Sequence, residues 1–549
     1  MKRNIPLLFT LVVFIFACGA PAVSTPQPDQ PVESTSTSQP VESTATSAST
    51  FTPEPTLTST PVPPSPHWYW GVDSDTLKVI AANQFGDRKE IGELSQADTL
   101  HATATSLDDE RALLFLDNDD TLRVYLLTPD EMQKIKLPSE PVYFDTELSQ
   151  FSRAVVAVYA DSAVFTYTTM DSGQSMSMGA VDTGPIFLVD LKSLTAKIID
   201  QEVSLDPYDA NRAWFRTSQD GRYLRYLNGN ADAEKIEIRE LDLVTGTART
   251  INTNQGPPAR VHASPEGDLW YPDSANLILD LNGNQMDFAD EAQMFTPLKD
   301  GKGLVYDWDC VDNCALNVIT PFGNDAPLTY NLPWTIEGST SYVNVRQVLS
   351  DRSLLFAGMS YSALSNPPAI VETYPEMTQL DIPLFRLTPD GQARLAGFYI
   401  EGDFTSNVSP NGQFTLMEPT DKTSFFIYDA VADRPLFDMP INPDLEDALV
   451  TIKFFDNGIL ADSSASEPGT KNNVYHHFYY LYDFKTSTVV NWEDVNAEIN
   501  TCPDLLEDGT LVCWFYRTDG DNFDLVRFSP ANGTKTVLME NVWLIDSAR

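Results

Sequence analysis

From Trp68 to the C-terminal end, apolar positions recur with a period of two rather than the 3.6 of a helix. The stretches "IFLVDLKSLTAKII" from Ile186, "IEIRELDLVTGTARTI" from Ile236 and "FFIYDAVADRPLF" from Phe425 share one plan, as do "YYLYDFKTSTVV" from Tyr479 and "FDLVRFSPANGTKTVL" from Phe523. Each is an alternating strand, a polar turn and a second strand, rich in the β-branched and aromatic residues that suit a pleated, half-buried surface. Hardly any segment sustains a helical apolar stripe over three turns, so the pattern predicts strands throughout.

A second phrase falls between successive copies of the first. "TSQDGRYLRYLNG" (Thr217–Gly229) is one example: Ser218, Asp220, Arg222 and Tyr223 crowd around Gly221 as a catalytic loop would. Its relatives begin at Ser106, Ser149, Ser264, Leu298, Leu349, Ser409, Phe455 and Leu506, and each reads as a polar turn followed by an apolar run of strand length. Asp-Gly and Asn-Gly supply the positive φ angles that tight hairpins need. The turn markers are Asp109, Ser152, Gly221, Gly267, Gly301, Arg352, Gly412, Gly458 and Gly509, spaced about 50 residues apart, the period of propeller blades. Recurrence turns an apparent site into scaffold.

Each unit therefore reads strand, turn, strand, variable loop, strand, turn, strand: a four-stranded antiparallel blade that buries its faces only against neighbouring blades. Nine units carry both phrases. A tenth, "WYWGVDSDTLKVIAANQFGDRKEI" (Trp68–Ile91), lacks its first strand, and "NVWLID" (Asn541–Asp546) is positioned to supply it. The fold class expected is all-β, a β-propeller of eight to ten blades closed by its N- and C-terminal strands, with one ring or two smaller ones left open. The turn phrase resembles that of periplasmic propellers of the Tol-Pal type and of WD-like β-propeller repeats over most of residues 96–547. That resemblance implies fold, not activity.

The first 66 residues are different. Lys2 and Arg3 precede the apolar run Ile5–Phe16, too short to span a bilayer as a helix and typical of a signal peptide. Ala17-Cys18 resembles the lipobox of bacterial lipoproteins, although Phe16 departs from the small or branched residue common there. The resemblance implies cleavage at 1–17 and lipidation of Cys18, and two or three acyl chains would hold a membrane stably. Residues 18–66 are Ser/Thr/Pro-rich with "QPVEST" repeated, a composition that stays disordered. At about 3 Å per residue where extended, such a linker reaches on the order of 100 Å. Residues 67–549 form the propeller domain, placed outside the cytoplasm on a lipid anchor, at the cell surface or periplasmic side.

Composition narrows the partners. A net charge of −43 excludes nucleic acid and anionic membrane surfaces as binding partners, since both require a basic footprint. Of five cysteines, Cys18 stands apart, and Cys310 with Cys314 and Cys502 with Cys513 form close pairs that an exported chain would oxidise to disulfides. No catalytic, metal or cofactor-binding residue is assigned. No G-x-S-x-G elbow occurs, and the five histidines (His67, His101, His262, His476, His477) are too few and scattered to hold a cofactor, with His476 and His477 expected on opposite faces of one strand. Calcium is left as the one open ion: Asp280–Glu291 fits the loop pattern except for Gln285 at the glycine position, and Asp519–Asp524 has Phe523 where an oxygen ligand belongs. Two long insertions, Ala160–Thr183 and Met359–Asp381, read as loops between second and third strands and suit a protein or carbohydrate ligand at the rim. The function expected is a membrane-anchored binding module without catalysis. The alternatives are an extracellular glycan-active enzyme using channel carboxylates and a structural component of an envelope assembly.

Overall fold

The computed structural model describes residues 65–544 apart from connections at 97–101, 119–120, 139–148, 172–181, 206–214, 230–234, 256–260, 273–276, 288–292, 299–300, 308–314, 332–342, 350, 359–381, 391, 400–408, 410–412, 418–423, 441–445, 467–474, 495–498 and 518–521. Every regular element among the described residues is a strand. The strands form antiparallel groups in chain order, and ten blades can be traced.

The fourth blade shows how the phrases fold. Strands β12 (Arg216–Thr217) and β13 (Tyr223–Asn228) are joined by the turn that looked like chemistry. Gly221 sits at φ 72°, the left-handed region, and its N–H donates to the Ser218 carbonyl at 2.7 Å. The Ser218 hydroxyl donates to Asp220 at 2.6 Å and accepts the Tyr223 N–H at 2.9 Å. Ser218 and Asp220 are thus engaged in the turn itself, with Asp220 also accepting the Arg222 N–H at 3.2 Å. Gly267, Gly301 and Gly509 repeat the positive φ, and Arg352 adopts it without being glycine, a conformation that costs an L-residue ~1 kcal/mol.

The outer hairpin has its own device. At the end of the third strand, Asp190, Asp242, Asp429 and Asp483 each accept the N–H groups two and three residues on. The next residue's N–H reaches back to the inner turn: Leu191 to Asp161, Leu243 to Arg222, Ala430 to Gln413 and Phe484 to Asn457, at 2.8–3.0 Å. Both turns of a blade are thereby fastened together. In the fourth blade Arg222 also bonds Asp242 at 2.7 Å and, with the turn N–H groups outweighing partial burial, draws that carboxyl down to about 2.

One expected turn is misplaced. "SQFSRAVVAVY" lies wholly within β8 (Ser149–Tyr159), and the hairpin turns at Ala160 and Asp161, with Ala160 at φ 51°. Ser152 is therefore a strand residue. Two residues suffice for the turn because Tyr159 pairs directly with Ser162. The insertion expected from Ala160 to Thr183 is also shorter: β9 occupies Ser162–Asp171 and β10 occupies Asp182–Asp190.

Consecutive blades pack face to face, which is where the core lies. Trp70 and Val79 of the first blade meet Leu114 and Leu116 of the second, and Phe115 of the second meets Phe165 and Phe187 of the third. Val164 and Ile186 pack on Leu224 and Tyr226, Leu227 on Trp270, and Tyr271 on Phe295. The sixth and seventh blades meet where the Tyr330 hydroxyl donates to the Arg352 carbonyl at 2.7 Å, and the seventh and eighth where Arg386 donates to the Ala430 carbonyl at 3.3 Å. Ile427 packs on Ile459 and Tyr480, and Leu481 on Phe515 and Phe528.

The tenth blade returns to the first. Trp514 and Met539 pack on Tyr69 and Ile80. The last strand, β38 (Thr534–Leu544), pairs with β37 (Phe523–Ser529) and then, past a left-handed break at Asn541, with β1 (Trp68–Asp73) through Val542, Trp543 and Leu544. The C-terminal segment thus supplies the first strand that the N-terminal unit lacks. Among the described residues the eighth blade shows three strands; its expected turn at Gly412 lies outside them. The chain folds as an all-β propeller of about ten blades, with its terminal strands paired so that neither is left as an open edge.

Candidate functional site

The interface between the ninth and tenth blades holds an open space walled by polar side chains. The ninth blade consists of β31 (Glu446–Phe455), β32 (Gly458–Ser466), β33 (Tyr475–Asp483) and β34 (Thr488–Asp494), and the tenth opens with β35 (Ile499–Leu505). Register sets Thr451 opposite Asp462, Asp462 opposite Tyr479 and Tyr479 opposite Trp492, one row across four strands on one face. The neighbouring row is Lys453, Leu460, Leu481 and Val490.

The outer half of this interface is closed by rings. Tyr479 stacks on Trp492 with centroids 5.1 Å apart, and Trp492 meets Phe528 edge-on at 5.5 Å. The inner half is open. A cavity of about 340 Å³ lies there, with Thr451, Lys453, Asp462, Tyr479, Asn500 and Thr501 on its wall, toward the small end of ligand-pocket sizes. The gap has a local cause: β35 slips register between Ile499 and Thr501 and again between Thr501 and Asp504, around Pro503. Such bulges bend a strand away from its neighbour. The disulfide between Cys502 and Cys513, S–S 2.06 Å, joins the bulged strand to β36 (Leu511–Tyr516).

Charge in the cavity is restrained. Burial pushes the Asp462 carboxyl above the usual carboxylate range, against the opposing pull of His477 and Tyr479. His477 Nδ1 stands 3.1 Å from both Asp462 oxygens. Burial, with the charges of Asp462 and Asp494 adding to it, pushes the Tyr479 phenol up as well, so it stays a donor. Asp494 accepts the Ile499 N–H at 2.9 Å, which fixes the start of β35. The wall can therefore offer a shaped set of hydrogen bonds around an acid held by His477.

Other acids between blades are taken up by guanidinium groups. Glu240 receives Arg225 at 3.0 Å and Arg249 at 2.7 Å, and Arg386 bonds Asp351 and Asp433. Arg225 also donates to the Glu266 carbonyl of the fifth blade, and Arg386 reaches Asp433 of the eighth, so these networks join blades.

The residues singled out in the sequence disperse. Cys502 lines the cavity and is bonded to Cys513 behind it; Cys18, Cys310 and Cys314 lie outside the described residues. His476 and His477 diverge, the first 3.4 Å from Glu493 and the second on Asp462. His67 lies between Asp109 at 2.9 Å and Asp504 at 3.3 Å, where the first, second and tenth blades meet. His101 lies outside the described residues, as does the His262 side chain. Asp280 accepts the N–H groups of Asn282 and Asn284 at 2.9 and 2.7 Å, the ordinary business of an outer hairpin, and Glu291 lies outside the described residues. Asp524 pairs with Arg517 at 3.0 Å, and Asp519 lies outside too. The described residues contain no group of three metal-ligating side chains. The loops at 172–181 and 359–381, offered as a rim surface, are likewise outside. Asp462 was missed; its one signal was a lone acid in the otherwise small and apolar strand "GILADSS".

No family model matches the chain, and no curated protein does. Among solved structures, an oligogalacturonate lyase in complex with manganese aligns at 12% identity and TM-score 0.26, over 86% of this chain and 95% of its own. A prolyl endopeptidase aligns at 13% and 0.32 over 76% of this chain, matching 55% of the peptidase. TolB from Acinetobacter baumannii aligns at 10% and 0.23, over 69% and 79%. At scores this low, strand order and register carry the fold.

Proposed function

We propose that this β-propeller is an extracytoplasmic, lipid-tethered module that binds rather than reacts. The tether reading rests on the residues before the blades: the charged and apolar leader, Ala17-Cys18 and the Ser/Thr/Pro-rich linker. The binding reading rests on one observation, a cavity between two blades walled by the hydroxyl, amide and ring groups of Thr451, Thr501, Asn500 and Tyr479 beside Asp462 and Lys453. The Asp462–His477 pair is made within the ninth blade; because such a pair is also how an imidazole base is oriented, the chemical state of the released ligand decides between binding and catalysis.

Two experiments test the two halves. Cys18→Ser should move the protein from the membrane fraction to the soluble one; a variant that partitions like the wild type removes the anchor. Purified protein should retain a ligand from the native envelope extract and release it chemically unchanged. Release of a cleaved or eliminated product would replace binding with catalysis.

A further inference from the structure

We propose that the cavity between the ninth and tenth blades takes a neutral saccharide. This rests on the binding reading above and names the ligand class. The wall carries two hydroxyls (Thr451, Thr501), an amide (Asn500, whose oxygen also accepts the Tyr516 hydroxyl at 3.0 Å) and the Asp462 carboxyl held by His477. Hydroxyl and amide each both donate and accept, as sugar hydroxyls do, and a carboxylate accepts from such hydroxyls. Tyr479, its phenol kept protonated, adds the edge of a ring already stacked on Trp492. An anionic ligand would face the field of a chain with net charge −43. A cationic one would find Asp462 already paired with His477 and would meet the Lys453 ammonium on the same wall. Size agrees: about 340 Å³ admits one or two sugar rings.

The Cys502–Cys513 disulfide and the two register slips of β35 hold this wall apart from β31. The opening is thus built into the strand and needs no moving loop.

The test uses the full soluble domain and a defined panel: the methyl glycosides of glucose, galactose, mannose and N-acetylglucosamine, with glucuronate, galacturonate and glucosamine as charged counterparts. Saturation-transfer NMR and calorimetry should detect at least one neutral glycoside. Thr501→Val and Asn500→Ala should each weaken it severalfold, and both together at least tenfold, with unchanged thermal unfolding; Asn500 is exposed, so its variant folds. Asp462→Asn, which keeps a hydrogen-bonding group of the same shape, should bind within about threefold of wild type, whereas Asp462→Leu should lose binding. The proposal is overturned if no neutral glycoside binds, if a charged counterpart binds tenfold tighter than its neutral parent, or if the Thr501 and Asn500 variants bind as wild type does. Retention of another, non-saccharide envelope ligand by wild type and Thr501→Val alike would sink the saccharide while leaving the binding role standing.

Discussion

The interface between the third and fourth blades and that between the ninth and tenth start from the same register. Ser162 and Gly458 both follow the inner turn, so Ala157 corresponds to Lys453, Val164 to Leu460 and Thr166 to Asp462; across the next strand Ile186 corresponds to Tyr479. In the earlier interface Thr166 is fully buried, with its hydroxyl donating to the Pro185 carbonyl at 3.0 Å. The acid that does enter that interface, Asp200, is met from the opposite blade by the Tyr226 hydroxyl and Arg239. Asp462, in contrast, finds its partner His477 on its own blade. Thr166 and Asp462 are each satisfied within their own blade, but the facing blade closes on Thr166 and stands off from Asp462. One blade plan thus yields a closed wall at Thr166 and Ala157 and an open one at Asp462 and Lys453, while the outer turns of the third and fourth blades leave their own space of about 300 Å³ beside Asp190 and Gly246.

Four substitutions would break or sharpen that contrast. Tyr226→Ala should cost the most, ~3–5 kcal/mol by chemical denaturation, because it removes a fully buried ring and strips Asp200 of a partner. Thr166→Asp would place the acid of the open interface into the sealed one, where nothing on the neighbouring strand answers it. The expected loss is about 3 kcal/mol at neutral pH, shrinking as the new carboxyl is protonated in acid. Replacing Cys502 and Cys513 together by serine should lower stability by about 2–3 kcal/mol, given the short loop they close. Hydrogen exchange should then quicken in β35 and leave the interface of Thr166 unchanged.

Asp462→Asn should have the smallest effect and the opposite sign. The folded carboxyl titrates above its unfolded value, so the native state holds the proton more tightly. Stability contributed at this position is greatest in acid and falls as pH rises through the unfolded and then the raised folded value. The asparagine variant should therefore match wild type in acid and melt slightly higher at neutral pH. A lower melting temperature at neutral pH would mean that the pairing with His477 outweighs burial.

Much of the architecture was legible in the sequence because it is local. Turn chemistry at Gly221, Gly267 and Gly509 and period-two alternation declare the hairpins, and recurrence declares the blades. The terminal pairing was legible too, from a unit missing a strand at one end and a spare strand at the other. The error at Ser152 has a plain origin: "SQFSR" is polar enough for a turn, yet it extends β8, and the true turn at Ala160-Asp161 lacks glycine. The cavity was not legible at all. It depends on Asp462 meeting Thr501 from another blade and on two register slips around Pro503, none of which leaves a periodic mark.

The contrast between the two interfaces is tested most directly by thiol accessibility at matched positions. Lys453→Cys would stand on the cavity wall and Ala157→Cys in its sealed counterpart, where Ala157 is 6% exposed. Peptide-resolved labelling of the native proteins with a small maleimide should modify the first at nearly the rate of an unfolded control. It should modify the second at least a hundredfold more slowly, through local opening alone. Equal rates at the two positions would contradict the account, whichever rate they shared.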